Sequence, residues 1–263
     1  LTTSKNISKG KGSLNNIDIK SHYVKRSLQN IKFNKKMKIA WDIANGAVGI
    51  VVDLFINQLS SAEHIIINKE VDGTFPNHHP DPTVPKNMEQ LIKTVINNSC
   101  DIGFAFDGDG DRLGVIDNKG EIVWADQYMI LLSKEISNLY QNPKIIMDVK
   151  SSKVFFDEIK KLNCDPVMFK TGHSPIKEKM KELKSPLSGE MSGHICYADD
   201  FFGYDDAMYV GLRLLRILSN EEISLNEMIG LYPKTTATPE IRIDVEEIRK
   251  FEIINEIKNR LKD

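Results

Sequence analysis

The chain has 263 residues, with 35 Lys and Arg against 37 Asp and Glu, and a formal net charge of −2 at pH 7. No global field therefore draws it to nucleic acid or to an anionic membrane, and any phosphate recognition has to be local. Its length suits one large or two ordinary domains with real cores, and two are expected.

Residues 1–16 are polar, rich in Lys and Gly and without an initiating Met, and they are expected to be a linker or a cut end with something missing before it. An amphipathic pattern predicts a helix from Ile17 to Leu28, followed by a strand from Met37 to Asp42. The turn Asn45-Gly46-Ala47-Val48-Gly49 leads into a helix through Leu59. It has neither GxGxxG nor the P-loop Lys, so it reads as a tight strand-to-helix turn rather than a phosphate cradle. The longest apolar stretch, near Val48 to Ile56, is broken by Asp53 and is too short to span a bilayer.

His64 to Asn68 is a second predicted strand. Asn77-His78-His79-Pro80-Asp81-Pro82 reads as a rigid Pro-rich turn in preference to a transition-metal site. A helix from Asn87 to Asn98 and a buried strand from Ile102 to Phe106 follow, and strands separated by helices argue for a parallel sheet with right-handed crossovers.

The run Asp107-Gly108-Asp109-Gly110-Asp111-Arg112 then places three carboxylates at alternate positions, separated by glycine and closed by a guanidinium. Glycine lets the backbone turn tightly enough for like charges to converge, and that convergence is repulsive unless a cation sits in it. A hard divalent ion with oxygen ligands is the expected occupant, Mg²⁺ in preference to Ca²⁺. An EF-hand loop needs Gly at its sixth position and Glu at its twelfth; here Arg112 and Asn118 stand there.

A second unit is expected to begin near Trp124, with a helix from Asp126 to Leu139, a strand from Lys144 to Val149 and a helix from Val154 to Leu162. Pro166 to Phe169 is a strand, and the next helix is expected to start with Ser174 as N-cap and Pro175 as its first residue. Pro186 to Glu190 and His194 to Tyr197 are short strands, and Asp205 to Leu218 is a strongly amphipathic helix. Beyond Pro239, a strand from Glu240 to Asp244 and a helix from Glu246 look like the start of a further unit. Three cysteines, Cys100, Cys164 and Cys196, stand far apart with no CxxC pair and no secretory leader, which suits a reducing cytoplasm.

In this second unit polar residues gather at predicted strand ends: Lys150, the segment Lys170-Thr-Gly-His-Ser174, and Gly189-Glu-Met-Ser-Gly-His194. In open parallel sheets ligands bind in the crevice beyond the carboxyl ends of the strands, so these segments are expected to face one cleft. Taken singly, Lys150 reads as a solvated strand end and His173 as readily a capping residue as a catalytic one. Glu190 carries more weight, because the small flanking residues let its carboxylate and the Ser192 hydroxyl point at a polyol together.

FDGDGDR, DVK, KTGHS and GEMSGH, in this order and at these spacings, together with PNHHPDPTVP, resemble the phosphomannomutase/phosphoglucomutase family of α-D-phosphohexomutases over Ile17 to Arg242. The resemblance implies two tandem α/β domains with mixed or parallel sheets: a second family domain at 17–123 carrying the metal loop, a third at 124–238 carrying the sugar loop, and the start of a fourth at 239–263. It implies that Asp107, Asp109 and Asp111 hold Mg²⁺ and that Arg112 supports the transferring phosphate. Lys150 and His173 would line the cleft, Lys150 or His194 would transfer protons, and Glu190 and Ser192 would bind sugar hydroxyls.

The implied reaction interconverts hexose 1-phosphate and hexose 6-phosphate through a phosphoserine and a hexose bisphosphate, with mannose or glucose phosphate as substrate. The T-x-S-H-N-P-type phosphoserine loop and the R-x-S-N-T-E-P-type phosphate loop of the family do not occur in the chain. The chain alone is thus expected to be incomplete and inactive, with the phosphoserine domain either cut away from it or supplied by a separate chain. The alternative is a non-catalytic phosphosugar- or Mg²⁺-binding remnant of a split or degraded gene.

Overall fold

The structure, a computed structural model, describes residues 10–234 and 243–261. The first elements are α1 (Lys20–Ser27), β1 (Lys38–Asp42), α2 (Val52–Ile56), β2 (Glu63–Ile67), α3 (Glu89–Asn98), β3 (Ile102–Phe106), β4 (Leu113–Asp117) and β5 (Ile122–Val123). They form a sheet of order β2-β1-β3-β4-β5, in which β1 runs parallel to β2 and β3 while β4 returns antiparallel to β3 and β5 to β4. Then come α4 (Ala125–Ser137), β6 (Lys144–Asp148), α5 (Lys153–Lys161), β7 (Asp165–Phe169), α6 (His173–Leu183), β8 (Leu187–Gly189), β9 (Ile195–Tyr197), α7 (Ala207–Ser219) and α8 (Leu225–Gly230). Their sheet has the order β7-β6-β8-β9, parallel except for the antiparallel edge β9.

The expected parallel strands and crossovers therefore make the body of each sheet, and an antiparallel strand closes one side. The β4–β5 hairpin was not among the predicted elements, although Leu113-Gly-Val-Ile-Asp117 followed by Asn118-Lys-Gly120 carries its signal. Each functional loop occupies the same place in its own sheet. The acidic loop joins β3 to antiparallel β4, and the Glu190 to His194 loop joins β8 to antiparallel β9.

Local chemistry moves some expected boundaries. The helix expected through Leu59 is a 3-10 turn at Ala47–Ile50 followed by the short α2. α6 begins at His173, with Gly172 rather than Ser174 at its cap. Gly172 can take the φ of +133° found there, and Pro175, third in the helix, loses nothing by lacking an N–H that the first turn leaves unpaired. α7 starts at Ala207, where Asp206 accepts a capping hydrogen bond from Tyr209 N at 2.9 Å, so Asp205 stands outside the helix.

The described residues from 10 to 233 belong to one unit, and one apolar cluster runs through both sheets. It includes Ile39, Trp41 and Phe104 of the first sheet, Ile145, Met147 and Leu187 of the second, and the helices between them. Trp41, fully buried, packs on Phe104 and Phe106 at centroid distances of 5.2 and 6.3 Å, contacts that add about 0.5–1.5 kcal/mol each beyond their buried area. Every residue of α7 from Ala207 to Leu215 is buried, and Tyr128 of α4 donates its hydroxyl to the Leu113 carbonyl at 3.0 Å.

Of the expected linker, residues 10–16 are exposed without regular structure and residues 1–9 lie outside the described residues. Residues from Lys234 onward form a second unit, whose described part contains α9 (Lys250–Arg260). Of the strand expected at Glu240 to Asp244, residues 240–242 lie outside the described residues, and Ile243 and Asp244 have no regular structure. Among the described residues, no helix is long and apolar enough to cross a membrane.

Candidate active site

The acidic loop is organised by its first residue. Asp107 is 1% exposed, and its Oδ1 accepts the backbone N–H groups of Gly110, Asp111 and Arg112 at 3.1, 3.0 and 3.0 Å, while its Oδ2 accepts Arg112 Nε at 2.6 Å. Arg112 Nη1 reaches Asp81 Oδ1 at 3.2 Å, so two carboxylates fix its plane. Burial works against the Arg112 charge, but Asp107, Asp81 and Asp111 outweigh it and raise its pKa.

The segment read as a rigid turn thus braces the loop as well. His78 Nε2 lies 2.9 Å from Asp42 Oδ2, and Asn77 donates to Asn45 Oδ1 at 2.8 Å. Ala47 N–H donates to the Gly108 carbonyl at 2.9 Å, and a Cβ on Gly46 would stand 2.8 Å from that oxygen. The Asn45-Gly46 turn is therefore a backbone brace for the acidic loop.

Asp107, Asp109 and Asp111 each offer a carboxylate oxygen, and these atoms lie within 4.8 Å of one another. Three convergent hard oxygen donors fit a small divalent cation that keeps several waters, which is the Mg²⁺ pattern. Asp111, His194 and Asp205 also bring ligand atoms within 4.8 Å, but Asp205 accepts Lys177 Nζ at 2.8 Å, so a cation there would compete with an ammonium already in place.

The second loop set is joined by Asp148, fully buried at the end of β6. Its Oδ1 accepts from Ser151 Oγ at 2.9 Å and Met191 N at 3.1 Å, and its Oδ2 accepts from Thr171 Oγ at 3.0 Å. The turn containing Lys150, the Thr171 to His173 segment and the Glu190 to His194 loop therefore share one anchor. Lys150 is exposed in that turn, two residues beyond β6.

Glu190 is 3% exposed; its Oε1 accepts Gly172 N at 2.5 Å and its Oε2 lies 3.0 Å from His194 Nδ1. Burial raises its pKa, but the hydrogen bonds from His194 and Gly172 prevail and hold it below the ordinary value. Ser192 Oγ lies 3.0 Å from the same His194 nitrogen.

The two loops meet directly. Arg112 and His194 form an antiparallel bridge, Leu113 N donates to the Gly193 carbonyl at 3.2 Å, and His194 Nε2 lies 3.1 Å from Asp111 Oδ1. Burial opposes the His194 charge, yet its hydrogen bonds to Asp111 and Glu190 push the pKa up to about 9. His173 stacks on His194, with ring centroids 5.2 Å apart and planes 22° from parallel.

Gly193 sits at φ +95°, and a Cβ there would lie 2.7 Å from the Leu113 carbonyl oxygen. Gly193→Ala is expected to destabilise the chain by about 1–3 kcal/mol, seen as a lower urea midpoint at unchanged slope. An unchanged midpoint would show that this contact is not tight.

The structure brings Asp107, Asp109, Asp111, Arg112, His173, Glu190, Ser192 and His194 together around this junction, and places Lys150 in a turn tied to it through Asp148. Sequence reasoning missed Asp81, Asp148, Lys177 and Asp205. Asp81 lies in a motif that reads as a turn, Asp205 at an expected helix start, and Asp148 in the DVK run, where Lys150 alone stands out as a candidate; nothing local marks Lys177.

Known proteins resemble this chain over both sheets. Residues 21–120 match the family model for phosphoglucomutase/phosphomannomutase alpha/beta/alpha domain II, and residues 124–235 match that for domain III. A phosphomannomutase/phosphoglucomutase of Pseudomonas putida is 42% identical over 247 residues, covering 94% of this chain and 53% of the relative. A phosphoglucomutase of Neisseria meningitidis is 40% identical over 236 residues, covering 90% and 51%. The crystal structure of a phosphoglucomutase/phosphomannomutase family protein from Burkholderia thailandensis superposes with a TM-score of 0.84 at 37% identity, covering 88% of this chain and 50% of that one. The chain spans about half the length of the curated relatives it matches.

Proposed function

The chain belongs to the phosphoglucomutase/phosphomannomutase family, and on that premise we propose that it supplies the cation-binding and sugar-binding part of a mutase interconverting hexose 1-phosphate and hexose 6-phosphate. The observation that carries this reading is the junction of the two loops, with Asp111 on one side of His194 and Glu190 on the other.

Asp107, Asp109 and Asp111 would hold Mg²⁺, which when bound offsets negative charge on the transferring phosphoryl group. Arg112, its Nε and Nη1 held by Asp107 and Asp81, presents Nη2 as a further donor for a phosphoryl oxygen. His194 and Lys150 are the candidates for moving the proton of the accepting hydroxyl, and His194 is the one in contact with the acidic loop. Glu190 and Ser192 would recognise hydroxyls that stay equivalent when the sugar is turned round, and Glu190 also fixes the His194 ring. The phosphoryl carrier would be a phosphoserine outside the matched segments, on the same protein or on a separate chain, with a hexose bisphosphate as the intermediate. Buried, unpaired Cys100, Cys164 and Cys196 support a reducing, cytoplasmic setting.

Mg²⁺ is expected to bind with a Kd roughly between micromolar and millimolar, since a short carboxylate loop leaves several ligands to water. At ten times that Kd it should stabilise the chain by about 1.4 kcal/mol, and Asp109→Asn should lose the response. Identical Mg²⁺ titrations of wild type and variant, by calorimetry and by melting, would remove the acidic loop from the site.

A further inference from the structure

Behind His173 lies a polar pair that the reading above does not use. Lys177, one turn further along α6, places Nζ 3.1 Å from His173 Nδ1 and 2.8 Å from Asp205 Oδ1. We propose that Lys177 and Asp205 are a positioning pair that fixes the tautomer and ring plane of His173 against His194; the part His173 plays in turnover rests on the mutase reading.

An ammonium has donors and no acceptor, so a hydrogen bond from Lys177 to Nδ1 makes that nitrogen the acceptor and leaves the ring proton on Nε2. Asp205 Oδ2 also lies 3.1 Å from Nδ1, but it makes no hydrogen bond there. The carboxylate therefore acts on the ammonium, and the ammonium acts on the ring. Positions four apart share a helix face, which brings Lys177 beside His173 without strain.

Asp205 is held from outside the site. Its side chain is 8% exposed, its backbone pairs with Cys196, and the next residue, Asp206, caps α7 and accepts the Tyr23 hydroxyl at 2.9 Å. At the other end of the same connection, Asp199 lies 2.8 Å from the buried guanidinium of Arg213. A carboxylate framed in this way gives Lys177 a fixed seat. The result is a row, Lys177, His173, His194 and Asp111, in which each ring is held by a charged group behind it. His173, 47% exposed, then offers Nε2–H as a donor toward a ligand in the cleft.

Long-range proton–nitrogen spectra of the histidine-labelled chain, recorded over a pH series, distinguish the charged ring from each neutral tautomer directly. Wild type should show His173, assigned with His173→Gln, as the Nε2–H form. Lys177→Met keeps the stem and removes the donor; it should shift His173 to a mixture of tautomers while His64 and His78 stay unchanged. Asp205→Asn should shift it in the same direction. Wild type in the Nδ1–H form, or an unchanged His173 in Lys177→Met, would overturn the proposal.

In an active assembly with a phosphoserine carrier, Lys177→Met should lower kcat about tenfold with KM within about twofold, and Lys177→Arg should recover part of the loss. An unchanged kcat would also overturn it. Absence of turnover in the wild-type assembly would instead count against the mutase reading, and the spectra would then decide the claim about His173.

Discussion

The purified 263-residue chain should convert no mannose or glucose 1-phosphate to the 6-phosphate, even with Mg²⁺ and a hexose bisphosphate present. The proposed reaction needs a covalent carrier that gives one phosphoryl group and accepts another. The two buried carboxylates of the site are not free for that part. Asp107 is committed to three backbone N–H groups and to Arg112, and Glu190 to Gly172 and His194. The carrier has to come within about 3–3.5 Å of the sugar oxygen, so it must dock through a specific interface. Adding a phosphorylated serine-bearing domain, with the terminal phosphate-binding domain as well, should restore turnover in a coupled assay. Bisphosphate-dependent turnover by the lone chain would contradict the expectation. Failure of every folded, phosphorylated mixture would favour the non-catalytic alternative.

Asp107→Ala should be the most damaging single change in the acidic loop. It leaves three loop N–H groups without their acceptor and strips Arg112 of one of its two carboxylates. Breaking a buried ion pair costs about 3–5 kcal/mol, and the lower end applies because the Arg112 side chain is 26% exposed. A loss of about 3 kcal/mol corresponds to a fall in Tm of roughly 6–12 °C for a domain of this size, with the Mg²⁺ response gone. Asp109 is exposed and, among the described residues, holds no loop N–H group as Asp107 does, so Asp109→Asn should stay within about 0.5 kcal/mol of wild type without Mg²⁺. Equal melting curves for the two variants in the absence of metal would refute this division between organising and binding carboxylates.

What could be read from the sequence was what local pattern encodes. Alternating acids and glycines between an apolar run and an arginine have no packing reason, so the cation loop stood out. Apolar runs such as Ile102 to Phe106 and Lys144 to Val149 marked strands to within about one residue of β3 and β6. The start of α6 was misplaced because a hydrogen bond from Gly172 to Glu190, 18 residues away, competes with the local Ser-Pro signal. The anchoring role of Asp148, the Asp of DVK, is hidden for the same reason: its partners Ser151, Thr171 and Met191 come from three separate loops. Lys177 and Asp205 are ordinary residues in sequence and become a pair only when the β9–α7 connection returns to α6.

The single apolar cluster that runs through both sheets has a consequence for cooperativity. Two sheets joined only by a tether would melt as separate events, each with its own midpoint. Here α4 and α7 belong to the core of both, so neither sheet can open without exposing apolar surface of the other. Ligand occupancy at one loop therefore raises the unfolding free energy of the whole unit, and the two loops share one global equilibrium. The junction at Trp124, between β5 and α4, is thus a poor place to divide the polypeptide, since either piece would carry half of a core closed only by the other.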